Sequence, residues 1–291
     1  MRVGVVIPVY NRPKLVLEAL GSVLNQTKMP DSVIVIDDGS TDNTAASVKE
    51  FIEATKSQNT QIFSLARVGA ASSRNFGFQQ LPHDIETVAF LDSDDIWPKD
   101  FLQRCAAALV LSPDAVAVSC DGKYWEVDED RTYIRDTSAL SQNPWHHMIV
   151  YGAGIASCTL FRATQVREEG GFPPEFPTGH DNVLFSRLAN RGKWLHVPGA
   201  PVIFRRNYQA SFPDDHHHLH LVYPNYRVHW AYAVEQSYND SPYFVRADKY
   251  TKISLRDRWM EAGRQAISCA DQKLALYCFV RALAYTNIIE A

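Results

Sequence analysis

A cluster of three aspartates offers the clearest chemistry in this chain of 291 residues. Asp92, Asp94 and Asp95 lie close together at the end of the apolar run Thr87–Asp92. Carboxylates this close repel one another, so a fold that collects them has to supply a cation or leave them in water. Hard oxygen ligands favour Mg²⁺ or Mn²⁺, and phosphate oxygens of a substrate would complete the coordination shell. The alternative is a solvated acidic loop that caps the helix predicted to start at Pro98.

A second acidic pair, Asp37 and Asp38, ends the buried run Ser32–Asp37. Turn chemistry accounts for Gly39 and Ser40, because Asp-Gly-Ser is a favourable turn and helix-capping sequence, but it accounts less well for two consecutive aspartates. One of these carboxylates can accept a hydrogen bond from a ligand N–H, such as that of a uracil base. The second pair therefore strengthens the interpretation of the first as a metal site.

Alternating strands and helices would bring both acidic clusters to one place. Continuous apolar runs at Arg2–Pro8, Ser32–Asp37 and Thr87–Asp92 predict strands buried on both faces, and the amphipathic segments between them predict helices. This order implies right-handed crossovers and a mostly parallel central sheet flanked by helices, an α/β fold. Ligands bind beyond the carboxyl ends of the strands in such sheets, so we expect the acidic clusters at one edge.

The pattern becomes less regular after about residue 120. Residues 125–143 indicate an excursion or a hairpin, and Ile155–Arg162 and Val202–Arg205 indicate short strands. A helix is predicted over Asn182–Asn190. Helical spacing over Tyr250–Ile289 predicts a C-terminal helical extension, with one stripe formed by Leu274, Cys278, either Arg281 or Ala282, and Tyr285.

Composition excludes several classes of protein. Hydrophobic residues make up 46% and charged residues 21%, which is ordinary for a globular chain and unlike a disordered one. A net charge of −4 excludes a globally basic nucleic-acid binder. No apolar run approaches the roughly 20 residues of a membrane-spanning helix, and the N-terminus is interpreted as a strand, not a signal peptide. The five scattered cysteines indicate no disulfide framework and no zinc site, so a cytoplasmic protein with reduced thiols is expected.

Five motifs together resemble one known family. VVIPVYNR (5–12), VIDDGSTD (35–42), GAASSRNFGF (69–78), FLDSDDIWP (90–98) and GGFPPEFPTGHDNVLFSRLANRG (170–192) stand in the order seen in inverting family-two glycosyltransferases of the GT-A fold. Each motif alone is weak, whereas five in order are specific. The likeness covers roughly residues 3 to 211.

The resemblance implies a domain organisation. Residues 1–211 would form the GT-A domain, in which 1–120 bind the nucleotide sugar and 121–211 carry the acceptor site and the catalytic base, in one continuous sheet. Residues 212–291 would hold a histidine-containing loop and the C-terminal helices.

The resemblance also implies roles for single residues. Tyr10 would stack on the nucleotide base, Asp38 would bind uracil, and Asp94, with Asp92, would hold Mn²⁺ or Mg²⁺. An aromatic platform and one acceptor suffice to orient a pyrimidine. The full set expected to bind the nucleotide sugar is Pro8, Val9, Tyr10, Asp38, Arg74, Asp92, Ser93 and Arg206.

Asp181 matches the family's catalytic base. The family's usual acidic pair, Glu-Asp, is replaced here by His180-Asp181. A helix N-terminus favours an ionised Asp181, while His180 is the alternative base because its ordinary pKa suits proton transfer. A plain helix cap is the structural alternative for Asp181.

Two interpretations remain open for each of three further features. Arg205 and Arg206 would face a diphosphate or form a surface basic pair. The histidines at 216, 217, 218 and 220 would supply a metal ligand from a lid or belong to a solvated loop. Trp97 would lie near the site or pack in the core.

The resemblance implies transfer of a hexosyl or N-acetylhexosaminyl group from a nucleotide sugar, with a UDP-sugar as the expected donor. The acceptor would be a hydroxyl of a glycan or of a lipid-linked acceptor, in surface polysaccharide or glycoconjugate synthesis, with peripheral contact at the inner face of the membrane left open. The alternative is a catalytically inactive protein that binds nucleotide sugars. A nucleotidyltransferase would need an early loop rich in glycine and arginine, and VIPVYNR stands in its place.

Overall fold

The computed structural model describes residues 1–208, 210–211 and 225–286. The chain divides into two compact units. The first comprises Met1–Gln142, Ile155–Gly171 and the described residues of Gly192–His217, and the second comprises Asn143–Gly154, Phe172–Arg191 and the described residues of His218–Ala291. The functional division near residue 211 that the resemblance implies stays a prediction.

Strands and helices alternate through the first part of the chain, as predicted. The elements are β1 (Val3–Val9), α1 (Leu15–Leu24), β2 (Ser32–Asp37), α2 (Thr44–Thr55), β3 (Thr60–Ser64), α3 (Ala70–Gln80), β4 (Thr87–Phe90), α4 (Phe101–Leu111), β5 (Ala115–Ser119), β6 (Gly122–Glu126) and β7 (Arg131–Arg135). They continue with α5 (Pro144–Val150), β8 (Thr159–Arg162), α6 (Ala163–Glu168), α7 (His180–Ala189), β9 (Lys193–His196), β10 (Val202–Arg206), α8 (Tyr226–Asp240), α9 (Tyr243–Ala247), α10 (Lys249–Ser268) and α11 (Gln272–Leu283).

A seven-stranded sheet in the order β3-β2-β1-β4-β8-β5-β9 forms the centre of the first unit. Strands β1, β2, β3 and β4 run parallel to one another, and β8 runs antiparallel between β4 and β5. Strands β5 and β9 are parallel to each other, so they run in the same direction as β4. The carboxyl ends of β1, β2, β4, β5 and β9 therefore share one edge of the sheet, which is where ligands bind in such folds.

A second sheet of three strands, in the order β10-β6-β7, stands apart from the first. The expectation of one continuous sheet is therefore wrong, although the hairpin expected within 125–143 is present as β6 and β7. Strand β7 is exposed along most of its length, and such a polar strand cannot enter a sheet that is covered by helices. Strand β10 joins this sheet through parallel pairing with β6.

Helix α3 approaches the central sheet closely through a glycine. A Cβ on Gly77 would lie 2.5 Å from Val6 Cγ1 of β1 and 3.0 Å from Ile36 Cγ1 of β2. Only a residue without a side chain allows this approach. The close packing fixes the position of Arg74, one turn earlier on the same helix.

The second unit is helical around a core that includes the predicted C-terminal stripe. Cys278 and Ala282 are buried in a cluster with Trp259, and Leu274 and Tyr285 pack against it. Helices α8 and α9 were not predicted, because small residues on the buried face of α8, including Ala231, Ala233 and Ser237, give a weak periodic signal.

None of the five cysteines forms a disulfide in the structure; Cys269 is exposed and the other four are buried. Burial raises the pKa of Cys120 to about 11, so this thiol stays protonated and unreactive. Among the described residues, every helix is too short or too polar to traverse a lipid bilayer.

We expect Gly77→Ala to lower the free energy of unfolding by about 1–3 kcal/mol, the usual cost of crowding a packed core. Helix propensity alone would raise the free energy of unfolding by about 1 kcal/mol. The sign of the measured change therefore shows whether the close packing of Gly77 dominates. Gly21→Ala in α1 is the matched control: its nearest neighbour, Phe51 Cζ, lies 3.8 Å away, and a gain of about 0.5–1 kcal/mol is expected. Urea unfolding measures both variants, and a stabilised Gly77→Ala would contradict this packing.

Candidate functional site

The loop after β4 carries the acidic cluster, and two of its carboxylates are bound to arginines. Arg74 Nη2 donates to Asp92 Oδ1 at 2.5 Å. Arg12 Nη1 donates to Asp94 Oδ1 at 2.9 Å and to Ser93 Oγ at 3.1 Å. These charge-assisted bonds relieve the repulsion that the sequence predicts between neighbouring carboxylates.

Both oxygens of Asp94 have partners in this structure. The second, Oδ2, accepts a hydrogen bond of 3.1 Å from the Tyr208 hydroxyl. Burial works against a charge on Arg12, but the charges of Asp94, Tyr208 and Asp92 outweigh it and raise the pKa of the guanidinium above its ordinary value. Arg12 is therefore a permanent cation beside Asp94.

The third carboxylate, Asp95, lies in the protein interior. It is buried, and burial, with the charges of Asp94 and Asp92, raises its pKa well above the ordinary value. Ser157 binds the Asp92 backbone N–H through its Oγ, at 3.0 Å, and its carbonyl accepts a 2.6 Å bond from Trp97 Nε1. Trp97 is buried, which places its side chain in the core.

The ends of β1 and β2 carry the residues expected to bind a base. Asp38 Oδ1 accepts a hydrogen bond from Val68 N at 2.8 Å, and its Oδ2 accepts one from Gly69 N at 3.0 Å. The Arg67 guanidinium lies 3.2 Å from the centre of the Tyr10 ring, on a face that could stack with a base. The sequence analysis did not single out Arg67, although it lies two residues before the glycine-containing motif at 69–78.

The neighbouring residues of these two strands shape the turn. Asp37 Oδ1 accepts a bond from Ser40 N at 3.1 Å, as turn chemistry predicts. Pro8 and Val9 are buried in β1, and the Val9 carbonyl accepts a 2.8 Å bond from Asp38 N. They hold the position of Asp38 through the backbone.

The two arginines of β10 have separate partners. Arg205 is buried and donates to Glu18 Oε2 at 2.5 Å. Arg206 is exposed, and its guanidinium lies 3.8 Å from the centre of the Tyr124 ring. Its expected contact with a diphosphate stays a prediction, and the histidines at 216, 217, 218 and 220 lie outside the described residues.

A further group that could hold a metal ion lies in the first unit. Ligand atoms of Asp121, Asp136 and His196 all lie within 4.8 Å of one another. Asp121 Oδ1 is 2.9 Å from His196 Nε2 and accepts a bond of 2.9 Å from Thr137 N. Asp121 and His196 follow or end strands β5 and β9, so the rule that selected the other acidic clusters could have found them.

The expected base, Asp181, lies in the second unit, in the first turn of α7. Gly179 precedes this helix with a φ of +79°, and a Cβ there would lie 2.7 Å from Ala233 Cβ and 2.9 Å from Trp230 Cδ1. Asn182 is buried, accepting from Ala153 N at 3.0 Å and donating to the Met148 carbonyl at 2.6 Å. The close packing at Gly179 and the hydrogen bonds of Asn182 therefore hold the first turn of α7, which carries Asp181, in place.

His180 is held in the interior of the same unit. The residue is 8% exposed, its Nδ1 is 3.3 Å from the Phe176 carbonyl, and its ring packs against Phe172. Asp181 is half-buried, with Oδ1 accepting from Asn182 N at 3.0 Å.

The expected site residues thus fall into two groups. The first unit collects those at the carboxyl ends of its strands and on α3, namely Pro8, Val9, Tyr10, Asp38, Arg74, Asp92, Ser93, Asp94 and Arg206. Asp181 belongs to the second unit.

Comparisons with known proteins agree on one fold. The chain superimposes on a mannosyltransferase from Pyrobaculum calidifontis, PcManGT in complex with GDP-Man and Mn²⁺, with a TM-score of 0.62 and 17% identity, covering 100% of this chain and 88% of that one. It superimposes on S. aureus TarS 1-349 in complex with UDP with a TM-score of 0.59 and 18% identity, covering 98% and 89%. These likenesses confirm the GT-A fold, with a mostly parallel sheet flanked by helices and C-terminal helices.

Sequence comparison identifies the family. An uncharacterized glycosyltransferase of Rickettsia bellii is 31% identical over 192 residues, which is 65% of this chain and 26% of that protein. The chain thus matches only about a quarter of that relative's length. The family model for glycosyl transferase family 2 matches residues 4–163. Because this match spans more than half of the 291 residues, the chain belongs to glycosyl transferase family 2.

Proposed function

We propose that the chain transfers a sugar from a nucleotide diphosphate sugar to an acceptor hydroxyl, with inversion at the anomeric carbon. One observation carries the proposal. The strands of the first unit bring the Tyr10 ring, the Asp38 carboxylate and the arginine-bound carboxylates Asp92 and Asp94 to one edge of the sheet. A base, a ribose and a diphosphate need an aromatic platform, hydrogen-bond acceptors and cations, and this edge offers all three.

Tyr10 and Asp38 would bind the base of the donor. The carboxylate of Asp38 can accept a hydrogen bond from the N–H of uracil, and Tyr10 can stack on the ring. The relatives of known structure bind UDP in one case and GDP-Man in the other, so the choice of UDP-sugar rests on Asp38. Arg74 would lie near the diphosphate.

Asp94 and Asp92 would hold a divalent cation, Mn²⁺ or Mg²⁺. Their side chains are 14% and 39% exposed, so both carboxylates are open to a ligand from one side. Carboxylate oxygens are the ligands that these hard cations prefer, and PcManGT was solved with Mn²⁺. When bound, such an ion stabilises the negative charge of the departing nucleotide diphosphate. The group at Asp121, Asp136 and His196 is the second candidate for the cation, on the strength of its ligand distances.

Asp181 would remove the proton from the acceptor hydroxyl as its oxygen attacks the anomeric carbon. Asp181 lies in the first turn of α7, where the helix dipole attracts negative charge. The burial of His180 and its contact with the Phe176 carbonyl support Asp181 as the base in preference to His180. A single displacement of this kind inverts the configuration and forms no covalent intermediate.

The acceptor would be a glycan or a lipid-linked hydroxyl compound, in surface polysaccharide or glycoconjugate synthesis. These assignments, the cytoplasmic location and contact with a membrane surface rest on the family resemblance. The rival function is a nucleotide-sugar-binding protein without activity. Two observations favour this inactive protein: His180 replaces the usual glutamate, and both Asp94 oxygens already accept hydrogen bonds from the chain. Release of UDP when acceptors are added distinguishes the enzyme from the inactive protein.

Asp94→Ala should leave the circular dichroism spectrum unchanged and remove the metal-dependent part of UDP affinity, by about tenfold or more, since that is the worth of one charged ligand contact. Calorimetry with UDP in the presence and absence of Mn²⁺ measures the loss. Asp100→Ala is the control, because Asp100 forms an ion pair with Arg104 and directly precedes α4, the helix that follows the loop. Unchanged affinity in Asp94→Ala would refute the assignment.

Asp181→Asn should bind the donor normally and transfer sugar about 10² times more slowly or worse, the usual cost of losing a general base. UDP release measures turnover and calorimetry measures donor binding. His180→Gln keeps a hydrogen-bonding group near the Phe176 carbonyl and should retain most of the turnover. Loss of turnover in His180→Gln alone would transfer the role of base to His180.

Gly179→Ala should slow transfer and leave UDP binding intact, because it displaces the helix start that carries Asp181. Left-handed backbone costs alanine about 1–2 kcal/mol, and crowding against Trp230 adds about 1–3 kcal/mol. Gly170→Ala is the control for backbone strain alone, since its φ is +77° and no atom lies within 4 Å of the added Cβ. Equal unfolding free energies and equal turnover in the two variants would show that the contact with Trp230 has no role.

A further inference from the structure

Asp94 is already bound to a cation that belongs to the chain. Its Oδ1 accepts from Arg12 Nη1 at 2.9 Å and its Oδ2 accepts from the Tyr208 hydroxyl at 3.1 Å. The side chains of Arg12 and Asp94 are 20% and 14% exposed, so water screens the ion pair only in part. A divalent ion that binds Asp94 Oδ1 competes with the guanidinium for this oxygen.

Two of the three carboxylates of the loop already have a cationic partner without any added ion. Arg74 donates to Asp92 and Arg12 donates to Asp94. A divalent cation that arrives alone would leave two arginines beside it without their carboxylates, and like charges repel. A nucleotide diphosphate restores the balance, because its phosphates are anionic and arginine binds phosphate through a fork of N–H groups.

Movement of Arg12 requires only its side chain to turn. Its backbone N–H is bound to Thr44 Oγ1 at 3.0 Å, at the start of α2. That bond anchors the residue, and the long side chain can reach a new partner while the backbone stays in place.

Resting on the proposed function, we infer that Arg12 is the resident counter-ion of Asp94 and makes cation and nucleotide bind cooperatively: the cation alone binds weakly, and the diphosphate takes over the displaced guanidinium. Such coupling is reciprocal, so the cation raises the affinity for the nucleotide by the same factor as the nucleotide raises the affinity for the cation. Arg12 thereby sets the order of assembly at the site and keeps it from holding a divalent ion without its donor.

The test measures Mn²⁺ binding by the electron paramagnetic resonance signal of the free ion, with and without UDP, and UDP binding by calorimetry. In the wild-type chain UDP should strengthen Mn²⁺ binding markedly. Arg12→Gln should bind Mn²⁺ alone about tenfold more tightly than wild type, which corresponds to one charge-assisted hydrogen bond, and its coupling factor should fall by at least as much. Arg12→Lys keeps the charge and should keep the binding of Mn²⁺ alone weak.

Two controls separate this role from general electrostatics and from a change of fold. Lys99→Gln removes an exposed positive charge close to the loop in sequence and should leave both affinities unchanged. In the double variant Arg12→Gln/Asp94→Asn the gain in Mn²⁺ affinity should vanish, because its ligand is gone. Thermal unfolding verifies that each variant is folded.

Failure takes two distinguishable forms. The inference about Arg12 is wrong, while the proposed function stands, if Arg12→Gln binds Mn²⁺ alone with wild-type affinity. The same holds if Arg12→Gln raises the Mn²⁺ affinity equally when Asp94 is also replaced by Asn. If the wild-type chain binds no UDP in the presence of Mn²⁺, the proposed function itself is wrong.

Discussion

Mutual repulsion among the carboxylates of the β4 loop is the constraint on which the rest of the first unit depends. Asp92, Asp94 and Asp95 can share one turn only because the fold treats each differently: the first two are bound to Arg74 and Arg12, and burial favours the neutral form of the third. The two arginines come from α3 and from the turn after β1, so the neutralisation requires the parallel sheet to be formed first. A local segment could not achieve it.

Backbone packing and backbone N–H groups position the side chains at this edge of the sheet. Gly77 allows α3 to approach β1 and β2, which sets the position of Arg74. Asp38 binds the N–H groups of Val68 and Gly69 at the start of that helix, so the expected base site and the expected diphosphate site share one support. Arg67 on Tyr10 and Arg12 on Asp94 are cations that stand where a base and a metal ion are expected. Binding of a nucleotide sugar would therefore exchange contacts already present in the chain.

The sequence predicted the central strands and helices well, because strands buried on both faces are continuous apolar runs that need no knowledge of distant residues. The rule for strand ends predicted that Asp38 and Asp94 lie at one edge of the sheet, whereas Arg74 was expected only from the family resemblance. The sequence could not predict the second sheet, since β10 pairs with β6 across a long stretch of chain, nor α8, whose buried face is built of small residues. It also missed the pairing of Arg12 with Asp94 and the group at Asp121, Asp136 and His196, because any of many charged residues could have met, and only the folded chain selects the partners.

Asp94, as proposed, holds the cation when the donor is bound. Anomalous diffraction at the manganese edge, from crystals grown with Mn²⁺ and UDP, locates the ion directly. We expect one strong peak within coordination distance of the Asp94 carboxylate, with the Arg12 guanidinium moved from Asp94 to the phosphates. A peak at Asp121, Asp136 and His196, with the ion pair of Arg12 and Asp94 still intact, would show that Asp94 does not hold the ion.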